Sequence, residues 1–271
     1  MQDDPPLIEQ RVRHTVRLML NRPEQHNALN TVLIQKLREA LWRLAADDTV
    51  RQIVIAANGH KFCVGSDIDE MQRLVEAGED KVEDLLQLGQ LLRELDRFPK
   101  PVVGLVQGEV YGSGIGLLAC CDVVFATEKA RFCLSEVRLG YVSALTSPYI
   151  LTAMGRRAAG RYMLTGEHFS AEEAKKMGLV HEVYPRSQLA LEANKLVKKL
   201  QTVAPHAQLE AKALLARQQL LPVDKDVLME SVQLMARLRC SDEGREGIHA
   251  FAEGRRPSWR PASQEELADD L

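Results

Sequence analysis

From Val12 to Leu20 apolar and polar residues alternate, with Val12, Val16, Leu18 and Leu20 set against Arg11, Arg13, Thr15 and Arg17. A period of two predicts a strand with one buried face. Asn21-Arg22-Pro23-Glu24 ends it. The period then lengthens. Leu33, Ile34, Leu37, Leu41 and Leu44 fall on one stripe of a helix for which Asn30 is a suitable N-cap. The short apolar run Ile53-Val54-Ile55-Ala56-Ala57 predicts a buried strand. A loop of small residues from Cys63 to Asp69 follows, then a helical stretch through Leu85, Leu88, Leu92 and Leu95. Pro101 to Val106 reads as another buried strand, ending at Gly108. A helix is expected from about Ser113 to Cys121, and Val123 to Ala126 as a further strand.

The recurring order is strand, strand, helix, and right-handed winding of such units is the natural α/β architecture. The repeat is one of pattern and not of residue identity. Ser170-Ala171-Glu172-Glu173 forms a capping box for a helix that stops at Gly178. From Gln188 to about Glu253 the composition is helical apart from Pro205 and Pro222. A boundary near residue 200 therefore divides an α/β core, 1–200, from a helical region, 201–271. Exposed helices at such a position suit packing against another subunit or service as a monomeric cap.

Composition narrows the function classes. With 271 residues, 45% apolar and 27% charged, the chain can bury a sizeable core. A net charge of −3 gives no general reason to expect nucleic acid or an anionic membrane as partner. No apolar run reaches about 18 residues, so no transmembrane helix is expected. The acidic, proline-rich opening Met1-Gln2-Asp3-Asp4-Pro5-Pro6 is unlike a signal or transit peptide. Cys63, Cys120, Cys121, Cys133 and Cys240 are odd in number and mostly within apolar stretches, which favours reduced thiols. A cytoplasmic protein without a metal site is the expectation.

Three local features carry candidate chemistry. In Phe62-Cys63-Val64-Gly65-Ser66-Asp67-Ile68 a glycine permits a tight turn that leaves the Ser66 N–H free for a ligand, although many such turns only connect elements. Gly108-Glu109-Val110-Tyr111-Gly112-Ser113-Gly114-Ile115-Gly116 runs from a strand into a helix, whose first amides lack intrahelical partners. The Ser66 and Ser113 amides together would form an oxyanion hole for a thioester enolate, where one donor is worth about 3 to 4 kcal/mol. A phosphate-loop reading fails, because neither GxxxxGK[ST] nor GxGxxG is matched. The third feature, Ala130 to Gly140, sets Glu136 among Phe132, Leu134, Val137 and Leu139. Apolar surroundings of this kind tune a carboxylate for proton transfer. The alternative is a surface glutamate paired with Arg138 or Arg131.

Taken together, NRPExxNALN (Asn21 to Asn30), FxxGxDI (Phe62 to Ile68), GxxYGxGxGL (Gly108 to Leu117), CDVVFA (Cys121 to Ala126), FxxxEVRLG (Phe132 to Gly140) and EGxxAFxEGRRPxW (Glu246 to Trp259) resemble the enoyl-CoA hydratase/isomerase (crotonase) family. The resemblance implies a spiral of repeated β-β-α units, a C-terminal helical region that trimerises, and a trimer or hexamer. It implies an acyl-CoA substrate, with coenzyme A as part of that substrate and no separate cofactor. Carried over by position, the oxyanion-hole amides fall on Ser66 and Ser113 and the catalytic acid/base on Glu136. Substrate and CoA contacts fall around His26, Ala28, Lys61, Val64, Asp67, Ile68 and Gly112. Lys61 or His26 near the CoA phosphates would be physically sensible, and either could equally be solvated surface.

Hydratases of this family use two glutamates, and the first of these positions is Gly116 here. Glycine inside a helix costs roughly 1 kcal/mol against alanine, so small size has a reason there. It would open room for a branched acyl chain, or else reflect tolerant packing. The wording YGxGxGLxACCD, FCLSEVRLG and SPYI resembles hydratases of 3-methylglutaconyl-CoA and isohexenylglutaconyl-CoA, whose distal carboxylate Arg138 or Arg131 would meet. The expected activity is hydration of a branched, possibly carboxylated enoyl-CoA by one glutamate. The alternatives are a Δ3,Δ2-enoyl-CoA isomerase, a decarboxylase, or a non-catalytic crotonase-like CoA-binding protein.

Overall fold

A computed structural model describes residues 4–77, 82–218, 222 and 224–260. Strands β1 (Leu7–Val12) and β2 (Thr15–Leu20) form an antiparallel hairpin in which Val12 pairs Thr15. The single strand expected over Val12 to Leu20 is thus two, joined by Arg13, at φ 52°, and His14. A two-residue turn preserves the parity of an alternating pattern, so the alternation continues unbroken through it. Helix α1 (Thr31–Ala45) starts where Asn30 accepts the Leu33 N–H at 2.9 Å, and it buries the expected stripe. There follow β3 (Gln52–Ala57), α2 (Ile68–Ala77) and α3 (Val82–Asp96).

Two strand-strand-helix units come next. The first is β4 (Val102–Val106), β5 (Val110–Tyr111) and α4 (Ser113–Ala119). The second is β6 (Val123–Thr127), β7 (Arg131–Cys133) and α5 (Ser147–Thr165), the last broken at Gly155. Then β8 (His168–Ser170), α6 (Ala171–Met177), β9 (Glu182–Tyr184) and α7 (Arg186–Gln201) complete the core. Ser170 and Glu173 close the expected capping box on α6, and Gly178 ends it.

The large sheet runs β1-β2-β3-β4-β6-β9, parallel from β2 onward, and a small sheet runs β5-β7-β8. Each unit gives its first strand to the large sheet and its second to the small one. A parallel sheet is normally covered on both faces, and this one is. One face meets α1, α3, α4 and α5 in a continuous core; the other sets Val54, Val103, Leu105 and Phe125 against Leu189, Ala193 and Val197 of α7. The small sheet stacks Phe132 on Phe169 and holds the entry to α4.

Beyond α7 the packing changes. Helices α8 (Pro205–Gln218) and α9 (Lys225–Arg239) bury no side chain, and α10 (Asp242–Ala252) buries only Ala250. Lys212 tethers this region to the core, reaching Asp122 at 2.6 Å. Among the described residues no helix is long and apolar enough to cross a membrane.

Candidate active site

Two backbone segments converge in front of the large sheet. Residues 63–67 form one: Leu29 donates to the Gly65 carbonyl at 2.8 Å and accepts from the Asp67 N–H at 3.0 Å. That parallel bridge turns the intervening Ser66 N–H to the opposite side, away from Leu29. Gly65, at φ 95°, packs against the second segment; a Cβ there would lie 3.1 Å from the Tyr111 carbonyl and 3.5 Å from the Ser113 nitrogen. The second segment enters α4 through Gly112, whose φ 48° and ψ −120° suit no side-chain-bearing residue. Ser113 is the first residue of α4, so its N–H has no intrahelical acceptor. The two serine hydroxyls stand 3.1 Å apart, so the two segments meet at Ser66 and Ser113.

Glu136 opens a short 3-10 helix, Glu136–Leu139, just after β7. It is 5% exposed, and its Oε2 has no hydrogen-bond partner among the described residues. The carboxylate leans over Gly112, where a Cβ would meet Oε1 at 3.3 Å. Any side chain at 112 would therefore press on the acid. A buried carboxylate oxygen without a partner costs free energy, and a group waiting for a ligand explains it. Its expected competitors do not reach it. The Arg131 guanidinium donates to the Ala130 carbonyl at 2.9 Å, and the Arg138 side chain lies over Gly166. Burial, with the Glu136 charge second, pushes the Tyr141 phenol up from its ordinary pKa.

A cavity of about 360 Å³ joins these groups. His26, Ala28, Val64, Ser66, Asp67, Ile68, Gly112, Ser113 and Glu136 all line it. Asn27, fully buried, shapes that wall: it accepts from the Arg22 N–H and donates to the Asn58 and Lys61 carbonyls. His26 follows the preceding turn at φ 53°, with its buried Nδ1 unpartnered among the described residues. Asp67 is held by Arg22 at 2.9 Å.

Three expected site residues stand elsewhere. Lys61 pairs with Glu109 at 2.8 Å and is not part of the cavity wall. Arg138 packs over Gly166 and does not line the cavity. Gly116 does not open room for an acyl branch. A Cβ at 116 would lie 2.9 Å from Thr146 Cβ and overlap the Thr146 methyl, so the space beside this glycine is filled from within. Sequence reasoning passed over Gln25, Asp69, Met71, Ser135 and Tyr141, which line the cavity with Leu139, one of the apolar residues expected around Glu136. Only the αL Gly140, which ends the 3-10 helix and turns Tyr141, signals any of them locally.

A family model described as enoyl-CoA hydratase/isomerase matches residues 12–262. The chain belongs to the enoyl-CoA hydratase/isomerase (crotonase) family. The 2,3-dehydroadipyl-CoA hydratase of Escherichia coli K12 is 35% identical over 94% of this chain and 98% of its own. A trans-2-decenoyl-[acyl-carrier-protein] isomerase of Streptococcus mutans is 30% identical over 89% and 93%. The crystal structure of an enoyl-CoA hydratase from Shewanella pealeana superposes with a TM-score of 0.90, at 35% identity, covering 94% of this chain and 96% of that one. This crotonase-family chain has one buried, unpaired carboxylate in its cavity, because Asp67 is tied to Arg22 and Asp69 is exposed. Among the described residues no group of His, Cys, Asp and Glu could hold a metal ion.

Proposed function

We propose that the protein is an enoyl-CoA hydratase working with a single glutamate. The observation that supports this most is the buried Glu136 carboxylate, its Oε2 unpartnered among the described residues, in one cavity with Ser66 and Ser113. The thioester oxygen accepts from both amides, which polarises the conjugated double bond. Glu136 takes a proton from water as the water oxygen bonds to Cβ, and the electron pair passes to the thioester oxygen as an enolate. Glu136 then returns the proton to Cα, the carbonyl re-forms and the carboxylate is regenerated. His26, Ala28, Val64, Asp67 and Ile68 form the wall along which the coenzyme A portion lies. The test is loss of the enoyl chromophore of crotonyl-CoA with product identified as the 3-hydroxyacyl thioester. No hydration of any enoyl-CoA would overturn the reading.

A single acid/base favours one second reading, an isomerase that moves a proton between Cα and Cγ; the Streptococcus mutans relative is itself named an isomerase. Conversion of 3-hexenoyl-CoA to the conjugated isomer without water uptake distinguishes it. Neither a branch nor a distal carboxylate is carried into either reading, because Thr146 fills the space beside Gly116 and neither Arg131 nor Arg138 lines the cavity.

The helical region is proposed to drive self-association into a trimer or hexamer. Leu228, Met229, Val232 and Met235 of α9 are 54–58% exposed, more apolar surface than one helix leaves in water without purpose. The cysteines are free thiols, which suits a reducing, cytoplasmic setting.

A further inference from the structure

We infer that Arg22 is a positioning residue, whose guanidinium clamps the loop that carries the Ser66 amide; this rests on that amide serving as an oxyanion donor, as proposed above. The loop meets the turn before α1 at an isolated parallel bridge between Leu29 and Ser66. Two main-chain bonds make the bridge, from the Leu29 N–H to the Gly65 carbonyl at 2.8 Å and from the Asp67 N–H to the Leu29 carbonyl at 3.0 Å. It lies outside both sheets, so no strand ladder fixes its geometry. A misplacement of about 1 Å in a reacting site can cost about a hundredfold in rate. The bridge therefore needs a second support.

Arg22 holds both of its sides. One arm donates to the Ala28 carbonyl at 2.5 Å, next to Leu29 in the chain. The other donates to Asp67 at 2.9 Å, next to Ser66. The Arg22 main chain is fixed as well, since its carbonyl accepts from Gln25 and Asn27 and its N–H donates to the Asn27 side chain. Asn27 fastens the same turn to the Asn58 and Lys61 carbonyls. With side chains only 16% and 10% exposed, Arg22 and Asp67 are shielded from competing water. A planar fork reaches two acceptors at once, which an ammonium on a flexible stem does not.

Asp67 uses both of its oxygens. Oδ2 accepts from Arg22, and Oδ1 accepts from the Asp69 and Glu70 N–H groups at 3.2 and 3.3 Å, at the entry to α2. Glu70 then accepts from the Thr31 N–H at 2.9 Å and ties α2 to α1. An amide of the same shape has one acceptor oxygen, so Asp67→Asn can serve the helix or Arg22 but not both. The sign of that change is informative. Removing a negative charge from the cavity wall would by itself favour an enolate bound there. Loss of position would disfavour it.

The test binds acetoacetyl-CoA and butyryl-CoA to the full chain. Bound acetoacetyl-CoA releases its Cα proton to solvent and becomes an enolate, seen by its near-ultraviolet band, with charge on the oxygen that the two amides would meet. Butyryl-CoA forms no such enolate and reports binding alone. Asp67→Asn should lower the ratio of bound enolate to bound keto form at least tenfold at fixed pH, while the butyryl-CoA dissociation constant moves less than threefold. Arg22→Lys keeps the charge, loses the fork, and should lower the ratio at least threefold. Urea midpoints show that both variants remain folded. A ratio in Asp67→Asn that stays within threefold of the parent, or rises, would make the pair a stabilising contact alone and overturn the inference. Weaker butyryl-CoA binding that matches the loss of enolate would overturn it too, since the whole cavity would then have moved. A parent protein that forms no enolate band would instead sink Ser66 and Ser113 as oxyanion donors, whereas unaltered variants of a band-forming parent would sink only the role of Arg22.

Discussion

Helices α1 and α9 are each 15 residues long and each is capped by a side chain, Asn30 in one and Asp224 in the other. The first buries six side chains and the second none. Local signals specify a helix equally well in both. What differs is the surface that receives it: the parallel sheet and α3 for α1, and nothing within the described chain for the outer side of α9. A helix seldom persists in water on propensity alone, so the outer side of α9 is where a further contact is expected.

The strongest test of that division is chemical. Glu136→Gln should lower turnover at least a hundredfold while acyl-CoA binding and assembly persist, since shape is kept and proton transfer is lost. A variant retaining a tenth of the wild-type rate on its preferred substrate would remove Glu136 from the mechanism. Next in size is the tail. Val232→Asp with Met235→Asp should weaken assembly at least tenfold in light scattering, with the core's far-ultraviolet circular dichroism preserved. Unaltered assembly would mean that α9 is not the contact surface.

A smaller effect probes the density of the core. Gly116→Ala should destabilise by about 1 to 3 kcal/mol, because the new methyl overlaps Thr146, and Thr146→Ala in the same chain should recover part of the loss. Additive urea midpoints in that cycle would refute the contact. The smallest effect concerns His181. Its Nδ1 accepts the Val124 N–H at 3.0 Å, and burial lowers its pKa below the ordinary 6.5, against the opposing pull of Asp122 and Glu182. The neutral ring is the form the fold prefers, so the unfolded chain takes up the proton first. This contribution is whole above about 6.5 and is lost as pH falls from there through the folded value. Urea midpoints that decline from pH 7.5 to pH 5 in the parent, and less steeply in His181→Gln, are the expected result.

Elements with local signatures were legible in the sequence. The Asn30 cap, the α1 stripe and the Ser170 capping box are written within a few residues of where they act. The hairpin at Arg13 and His14 was not, because its two-residue turn leaves the alternation in phase. In the site, the positions of Ser66, Ser113 and Glu136 could be picked from motifs, and all three line one cavity. Gly116 was misread for a tertiary reason: the missing Cβ faces Thr146, 30 residues away, and no window around a glycine reveals what fills its vacancy. Met71 and Tyr141 escaped notice likewise, since each comes from a segment whose own pattern gives no hint of the other.

The two amides proposed as oxyanion donors belong to the main chain, and backbone contacts set their position. Gly65 rests on the Tyr111 carbonyl, and Gly108 packs so closely on the His60 carbonyl that a Cβ would overlap it. Systematic replacement of side chains by alanine would therefore report Glu136 and pass over Ser66 and Ser113, whose N–H groups survive the exchange. The glycines would register instead, as losses of folding. Half of the machinery would look like scaffold in such a scan, and only exchange of an amide for an ester at residue 66 or 113 would expose it.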